Sequence, residues 1–211
     1  MHKGRTYHES MLASARDMRV RERFQRLVYR FTPYGETILD FGAGTGIDAK
    51  AYATRKFKVF VYEPCEENLA YLAEHCRDEL KNTDITVTNL VTNATVDVIV
   101  ANFAVLNLIA DHRTLFAIFD RLLAAKGHVV LNLLNPFFLG DARYAWWRGN
   151  LCALLRGGRY TVEGNDGPVH RMTPAAVSES AEPGFRQILL YPGWPGLAAS
   201  QYMFMVFRKN H

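Results

Sequence analysis

The sequence predicts an α/β fold built on a doubly wound sheet, and three observations carry that prediction. The first is Ile38-Leu39-Asp40-Phe41-Gly42-Ala43-Gly44-Thr45-Gly46: an apolar run, three glycines at alternate positions, then a helix-forming segment from Ile47 to Arg55. It reads as a buried strand, a tight turn and a helix start. The second is Lys58-Val59-Phe60-Val61-Tyr62-Glu63, the next strand, with a carboxylate at its tip. The third is the alternation that follows. Strand-like runs at Ile85–Leu90, Val96–Phe103 and His128–Leu134 are separated by helical-period segments, Pro64–Leu80 and Asp111–Ala125. Strands alternating with helices make a mainly parallel sheet.

The glycine turn is the place for a ligand. Glycine is required where φ is positive or where a ligand lies on bare backbone, and amides at a helix start face the turn. A dinucleotide site would space its glycines G-x-G-x-x-G, and a phosphate loop would carry Gly-Lys-Ser/Thr. Neither pattern is present. No Lys or Arg precedes Lys50 in the stretch, so nothing answers a polyphosphate. Asp40 beside the turn suits a ligand with a cationic or hydroxyl-rich part, and Glu63 is placed to accept two hydrogen bonds from a ribose diol.

With these residues in place, Asp40-Phe41-Gly42-Ala43-Gly44-Thr45-Gly46 followed by Glu63 resembles the class I S-adenosylmethionine-dependent methyltransferases, roughly from Thr37 to Lys209. The resemblance implies a Rossmann-like, doubly wound, seven-stranded sheet whose last strand runs antiparallel beside the sixth. It implies S-adenosylmethionine as cofactor, its methionine part on the glycine loop and its ribose on Glu63. The cofactor set carried over is Asp40, Phe41, Gly42, Ala43, Gly44, Gly46, Glu63, Pro64, Leu90, Val91, Asn102 and Phe103. The family commonly places an acidic or polar residue after the third strand for the adenine amine. Here Asn89-Leu90-Val91-Thr92-Asn93 has no Asp, which leaves backbone amides or an apolar clamp of Leu90 and Val91.

Residues 1–36 precede the first strand and read as helical. Val20, Phe24, Leu27, Val28 and Phe31 make a core stripe that Met11, Leu12, Ala15 and Met18 do not continue. Two helical pieces are expected, with a break near Asp17 as N-cap. The first piece, with Tyr7 and His8, is either a lid over the cofactor or a frayed terminus. Arg16, Arg19, Arg23, Arg26 and Arg30 form a second stripe, either a solvated face or a ridge for RNA or an anionic surface. Few aromatics interleave with them, which argues against nucleic acid as a partner.

Gly127 is expected to end the helix that Asp111 opens. Beyond the fifth strand, Asn135-Pro136-Phe137-Phe138 looks like the amine-clamping motif of nucleic-acid base methyltransferases. It follows the wrong strand and lacks the second proline, so it reads as a strand exit. Residues 137–172 form an aromatic-rich insertion between strands five and six, holding Tyr144, Trp146 and Trp147 with Arg143, Arg148, Arg156 and Arg159. A connection this long points to function. It is a cap over an apolar or aromatic small molecule, a site of transient membrane contact, or a helical insertion packing its aromatics. Thr173 and Pro174 open the next helix as N-cap and N1. His170 and Arg171 stand just before it, as a base and an anion partner or as plain surface residues.

The chain has 211 residues, 49% hydrophobic and 22% charged, with net charge +4, as expected of one globular domain. Within it, residues 1–36 flank a methyltransferase unit from 37 to 211. Three scattered cysteines lack metal spacing and read as reduced thiols in a cytoplasmic protein. The expected activity is methyl transfer to an O, N or C atom of a small apolar or aromatic molecule, with RNA or protein as the alternative acceptor. Such a reaction runs largely on positioning. Candidate catalytic groups are His170, His8 and Tyr7; candidate substrate contacts are Leu106, Tyr144, Trp146, Trp147 and Arg171; no metal is expected.

Overall fold

The computed structural model of the chain describes residues 3–33, 35–90, 95–164 and 167–211. Among these, the first unit of the fold comprises residues up to 102 and 122–128, and the second comprises 103–121 and 129–211. The main sheet has seven strands: β1 (Thr37–Phe41), β2 (Lys58–Tyr62), β3 (Ile85–Val87), β4 (Val96–Ala101), β5 (Leu123–Leu134), β8 (Phe185–Tyr191) and β9 (Tyr202–Lys209). Their order is β3-β2-β1-β4-β5-β9-β8. Pairings β1–β2, β1–β4 and β2–β3 are parallel, and β8–β9 is antiparallel. The remaining strands, β6 (Arg159–Gly164) and β7 (Gly167–Met172), form an antiparallel hairpin of their own. The seven-stranded, doubly wound order with antiparallel last strands is the one expected.

In the first unit, α1 (Lys3–Ala13) and α2 (Ala15–Phe31) precede the sheet. Their break is at Ser14, not at Asp17: the Ser14 hydroxyl accepts from Asp17 N at 3.2 Å. Asp17 sits in the first turn, where its charge suits the helix dipole. Phe24 and Val28 are fully buried, worth about 1.5–3 kcal/mol each. Helix α3 (Ile47–Thr54) follows the glycine turn. The expected single helix after β2 is two, α4 (Glu66–His75) and α5 (Arg77–Lys81), broken at Cys76. Cys76 is buried, and burial pushes its thiol up to about 12, so it is inert core.

Two further expectations are corrected. Strand β3 stops at Val87 rather than Leu90. Gly127 lies inside β5, because helix α6 (His112–Leu122) has already ended. A Cβ on Gly127 would stand 2.6 Å from the Asp97 carbonyl oxygen, so the glycine permits close backbone approach rather than capping a helix.

The second unit also holds a 3-10 turn at Val105–Leu108 and, in the insertion, a 3-10 turn at Leu139–Arg143. The insertion continues with α7 (Ala145–Gly149), α8 (Leu151–Gly157) and the β6–β7 hairpin. Helices α9 (Pro174–Ala181) and α10 (Gly196–Ala199) complete the chain. Thr173 caps α9, accepting from Ala176 N at 3.2 Å, with Pro174 at its start. Among the described residues, no helix is long and apolar enough to cross a membrane.

Candidate functional site

The first unit gathers its polar groups around the turn from β1 to α3. Gly42 N and Ala43 N both donate to Tyr62 O, at 2.7 and 3.1 Å, which closes the turn onto the end of β2. Gly42, Gly44 and Gly46 all have positive φ. Two of them serve different ends. A Cβ on Gly46 would stand 2.8 Å from Cys76 Sγ and 2.9 Å from Leu72 Cγ, so Gly46 lets α4 and its C-terminal end pack on the turn. A Cβ on Gly44 would meet only Tyr7 Cε1, at 3.7 Å. Gly44 is the bare part of the turn.

Glu63 reaches that bare part. Its Oε2 accepts from Gly44 N at 2.7 Å, and its Oε1 accepts from Cys65 N at 2.9 Å and Asn68 Nδ2 at 3.4 Å. Three donors, two of them backbone amides, fix the direction of this carboxylate.

Helix α1 is seated over the same turn. A Cβ on its Gly4 would stand 2.9 Å from Glu67 O, so the helix lies tightly on α4. One turn further on, His8 is buried, with Nδ1 3.0 Å from Thr45 Oγ1 and its ring 4.4 Å from that of His75. Burial first, then the Arg21 charge, lowers the pKa of His8. Tyr7 is 43% exposed, with its ring edge at Gly44. Its hydroxyl is pushed up, mainly by burial, and so keeps its proton at neutral pH.

Behind the turn lies a buried charge network that the sequence reading missed. Asp48, in the first turn of α3, accepts from Arg21 Nη1, from Gln25 Nε2 at 2.7 Å and from Asn102 Nδ2 at 2.9 Å. The Arg21–Asp48 pair is buried on both sides. Losing one partner of such a pair costs about 3–5 kcal/mol. The available signal was Arg21 itself, an arginine three residues before Phe24 and seven before Val28, on the face that buries. Asp40, fully enclosed at the end of β1, has a carboxyl raised well above the usual range, first by burial and then by the charge of Asp48. Its Oδ2 makes no hydrogen bond.

The other cofactor candidates are more scattered. Phe41 is buried and stacks on Tyr62 at 5.1 Å. Pro64 is exposed, and Leu90 lies past β3 at φ 65°. Val91 falls outside the described residues. The arginines of the α2 stripe, Arg16, Arg19, Arg23, Arg26 and Arg30, are all exposed.

In the second unit, Phe103 and Ala104 take left-handed φ of 51° and 64° just past β4. Such conformations cost about 1–3 kcal/mol and gather at functional sites. The Phe103 ring meets Tyr202 edge-on at 6.1 Å. Leu106 is buried, and its carbonyl is 2.8 Å from His112 Nε2. Asn107, unremarked in the sequence, ties two elements together: Nδ2 donates to His170 O at 2.6 Å, and Oδ1 accepts from Leu134 N at 2.9 Å. His170 is half-buried on β7, with Nδ1 2.9 Å from Thr161 Oγ1 across the hairpin. Trp147 Nε1 donates to Pro136 O at 3.0 Å. Tyr144 stacks on Trp146 at 5.7 Å. Arg171 is buried, with Nη1 donating to Asn135 O at 3.0 Å and Nη2 3.4 Å from Asp141 Oδ2. Among the described residues, no group of three or more His, Cys, Asp and Glu is placed to hold a metal ion.

Similarity to solved structures is broad at low identity. The 1,6-didemethyltoxoflavin-N1-methyltransferase of Burkholderia thailandensis, solved with 1,6-didemethyltoxoflavin and S-adenosylhomocysteine, superposes with a TM-score of 0.67 at 16% identity, over 98% of this chain and 87% of that one. The CcbJ methyltransferase of Streptomyces caelestis gives 0.66 at 18% identity, over 91% and 90%. An S-adenosylmethionine-dependent methyltransferase of Mesorhizobium loti gives 0.63 at 16%, over 87% and 96%. A comparison with curated protein sequences finds no match. The family model described as a methyltransferase domain matches residues 12–165, which take in α2, the glycine turn, Glu63 and all of β1 to β5. The chain therefore belongs to the methyltransferase-domain family.

Proposed function

We propose that the protein transfers the methyl group of S-adenosylmethionine to an O, N or C atom of a small, apolar or aromatic molecule. The observation that carries this reading is the convergence of Glu63 Oε2, Gly44 N and the Tyr7 ring on one bare stretch of turn. The solved structure with bound 1,6-didemethyltoxoflavin and S-adenosylhomocysteine has the same fold, which supports the choice of donor and of a small acceptor.

In this reading Glu63 exchanges its bond to Gly44 N for the ribose hydroxyls, and the freed amide faces the ligand. Tyr7 covers the turn as a protonated hydroxyl donor, and His8 holds α1 down through Thr45. The Arg21–Asp48–Asn102 network fixes the first turn of α3 beneath the ligand. The sulfonium supplies an already activated methyl group, so in-line positioning and exclusion of water account for most of the acceleration. For an acceptor that must lose a proton, His170 is the assigned base. If its Nδ1–H donates to Thr161 Oγ1, Nε2 is left free to take a proton. Acceptor selection is assigned to Tyr144, Trp146 and Trp147 of the insertion.

Calorimetry with S-adenosylhomocysteine, followed by incubation with methyl-labelled donor and a pooled small-molecule extract, tests the proposal. One cofactor bound per chain and a labelled product resolved by mass spectrometry are expected. An unmeasurable affinity for the cofactor product overturns the reading.

A further inference from the structure

The insertion contains a buried polar cluster that neither the glycine turn nor His170 uses. Tyr160 on β6 and Arg171 on β7 stand directly opposite each other in the hairpin, so their side chains leave the same face. The Arg171 guanidinium lies 5.6 Å from the centre of the Trp146 ring. Trp146 in turn tilts against Tyr160 at 6.4 Å and carries Tyr144 stacked on it. Asp141 closes the group, its Oδ2 3.4 Å from Arg171 Nη2. Tyr160, Arg171 and Asp141 are 7%, 7% and 8% exposed.

Two polar atoms of this cluster have no partner, Tyr160 Oη and Arg171 Nε, and Asp141 Oδ2 has its ion pair with Arg171 but no hydrogen bond. Buried polar atoms are almost always paired, because an unpaired one forfeits its solvation with nothing in return. Two unpaired donors beside a carboxylate oxygen that accepts no hydrogen bond describe the complement of a single group that both accepts and donates.

We propose that this cluster is a binding site for a planar aromatic molecule bearing a neutral donor–acceptor group such as a carboxamide. The ring lies against Trp146, and the polar group accepts from Tyr160 and Arg171 while donating to Asp141. Charge selects the neutral form. A carboxylate would be repelled by Asp141, an ammonium by Arg171, and the two side chains together are neutral. This site deepens the proposed function by naming the anchor of the methyl acceptor, and it rests on that reading only for the word acceptor. Binding itself needs no methyl donor.

The test is an NMR titration of the intact chain with benzamide, benzoate, benzylammonium and toluene, following the Trp146 indole N–H assigned with Trp146→Phe. Benzamide is expected to shift that signal and to bind roughly tenfold or more tighter than the other three. Tyr160→Phe keeps the ring and removes only the unpaired hydroxyl. It is expected to leave the denaturation midpoint unchanged or raised while weakening benzamide several-fold. Equal binding of toluene and benzamide, no binding of either, or a Tyr160→Phe variant that loses stability overturns the site; the last would mean the hydroxyl is already satisfied, as by a trapped water. A chain that takes benzamide but not S-adenosylhomocysteine keeps this site and loses the methyl-transfer reading. The reverse result separates the two in the other direction.

Discussion

Replacing Gly46 by alanine puts a methyl group 2.8 Å from Cys76 Sγ and 2.9 Å from Leu72 Cγ, at a residue whose φ is 81°. Neither neighbour can yield easily, since both are fully buried. The left-handed backbone costs an L residue about 1–2 kcal/mol, and crowding a packed core costs about 1–3 kcal/mol more. A loss of about 2–5 kcal/mol lowers Tm by about 4–20 °C in a chain of this size. Gly44→Ala bears the backbone term but not the crowding, because its nearest neighbour would be Tyr7 at an ordinary 3.7 Å. Its expected loss is about 1–2 kcal/mol. The functional ranking reverses. A methyl on Gly44 stands where the cofactor is proposed to lie, and crowding of about 1–3 kcal/mol corresponds to roughly 5- to 150-fold in Kd. Thermal and urea denaturation of both variants, with calorimetric titration of S-adenosylhomocysteine, measures the two quantities. Equal destabilisation by the two substitutions, or undiminished cofactor affinity in Gly44→Ala, would refute the division between a packing glycine and a ligand glycine.

Three further outcomes are expected. Glu63→Gln removes a charge-assisted acceptor and lowers cofactor affinity by about 1.5–3 kcal/mol, or roughly 10- to 150-fold, in calorimetry; a change under threefold contradicts its assignment to the ribose. Asp40 has a raised folded-state pKa, so the chain loses stability as pH climbs from about 4, the unfolded value, through that raised value. Asp40→Asn should remove that loss, and urea midpoints of the variant minus wild type should grow with pH; a flat difference from pH 4 to 8 rejects it. His8 and His75 have lowered folded-state pKa values, so their share of stability is present above about 6.5 and lost as pH falls below it. Protection of the amides of residues 3–13 against hydrogen exchange, relative to their intrinsic rates at each pH, should therefore fall below pH 6.5, and less so in His8→Gln, while the same fall in both would show that His8 does not hold α1.

The sequence by itself determined the parts whose signal is local. An apolar run closed by Gly42-Ala43-Gly44-Thr45-Gly46 can scarcely be anything but strand, turn and helix start, and Thr173-Pro174 marks a helix start wherever it stands. Strand alternation was equally legible, as was Glu63 at the tip of β2, while the seven-stranded order followed from the family resemblance that those residues carry. What only the tertiary structure decided depends on partners remote in sequence. Gly42, Gly44 and Gly46 look alike in a motif, yet α4 makes one a packing necessity and leaves another bare. Arg21 looked like one more basic residue on a helix until Asp48 and Asn102 were brought to it. Gly127 resembled a helix terminator because nothing nearby announces the Asp97 carbonyl behind it. The unpaired atoms of Tyr160 and Arg171 beside Asp141 were likewise invisible in advance. Hydrogen-bond satisfaction and close packing are properties of atoms in space, and no spacing along the chain encodes them.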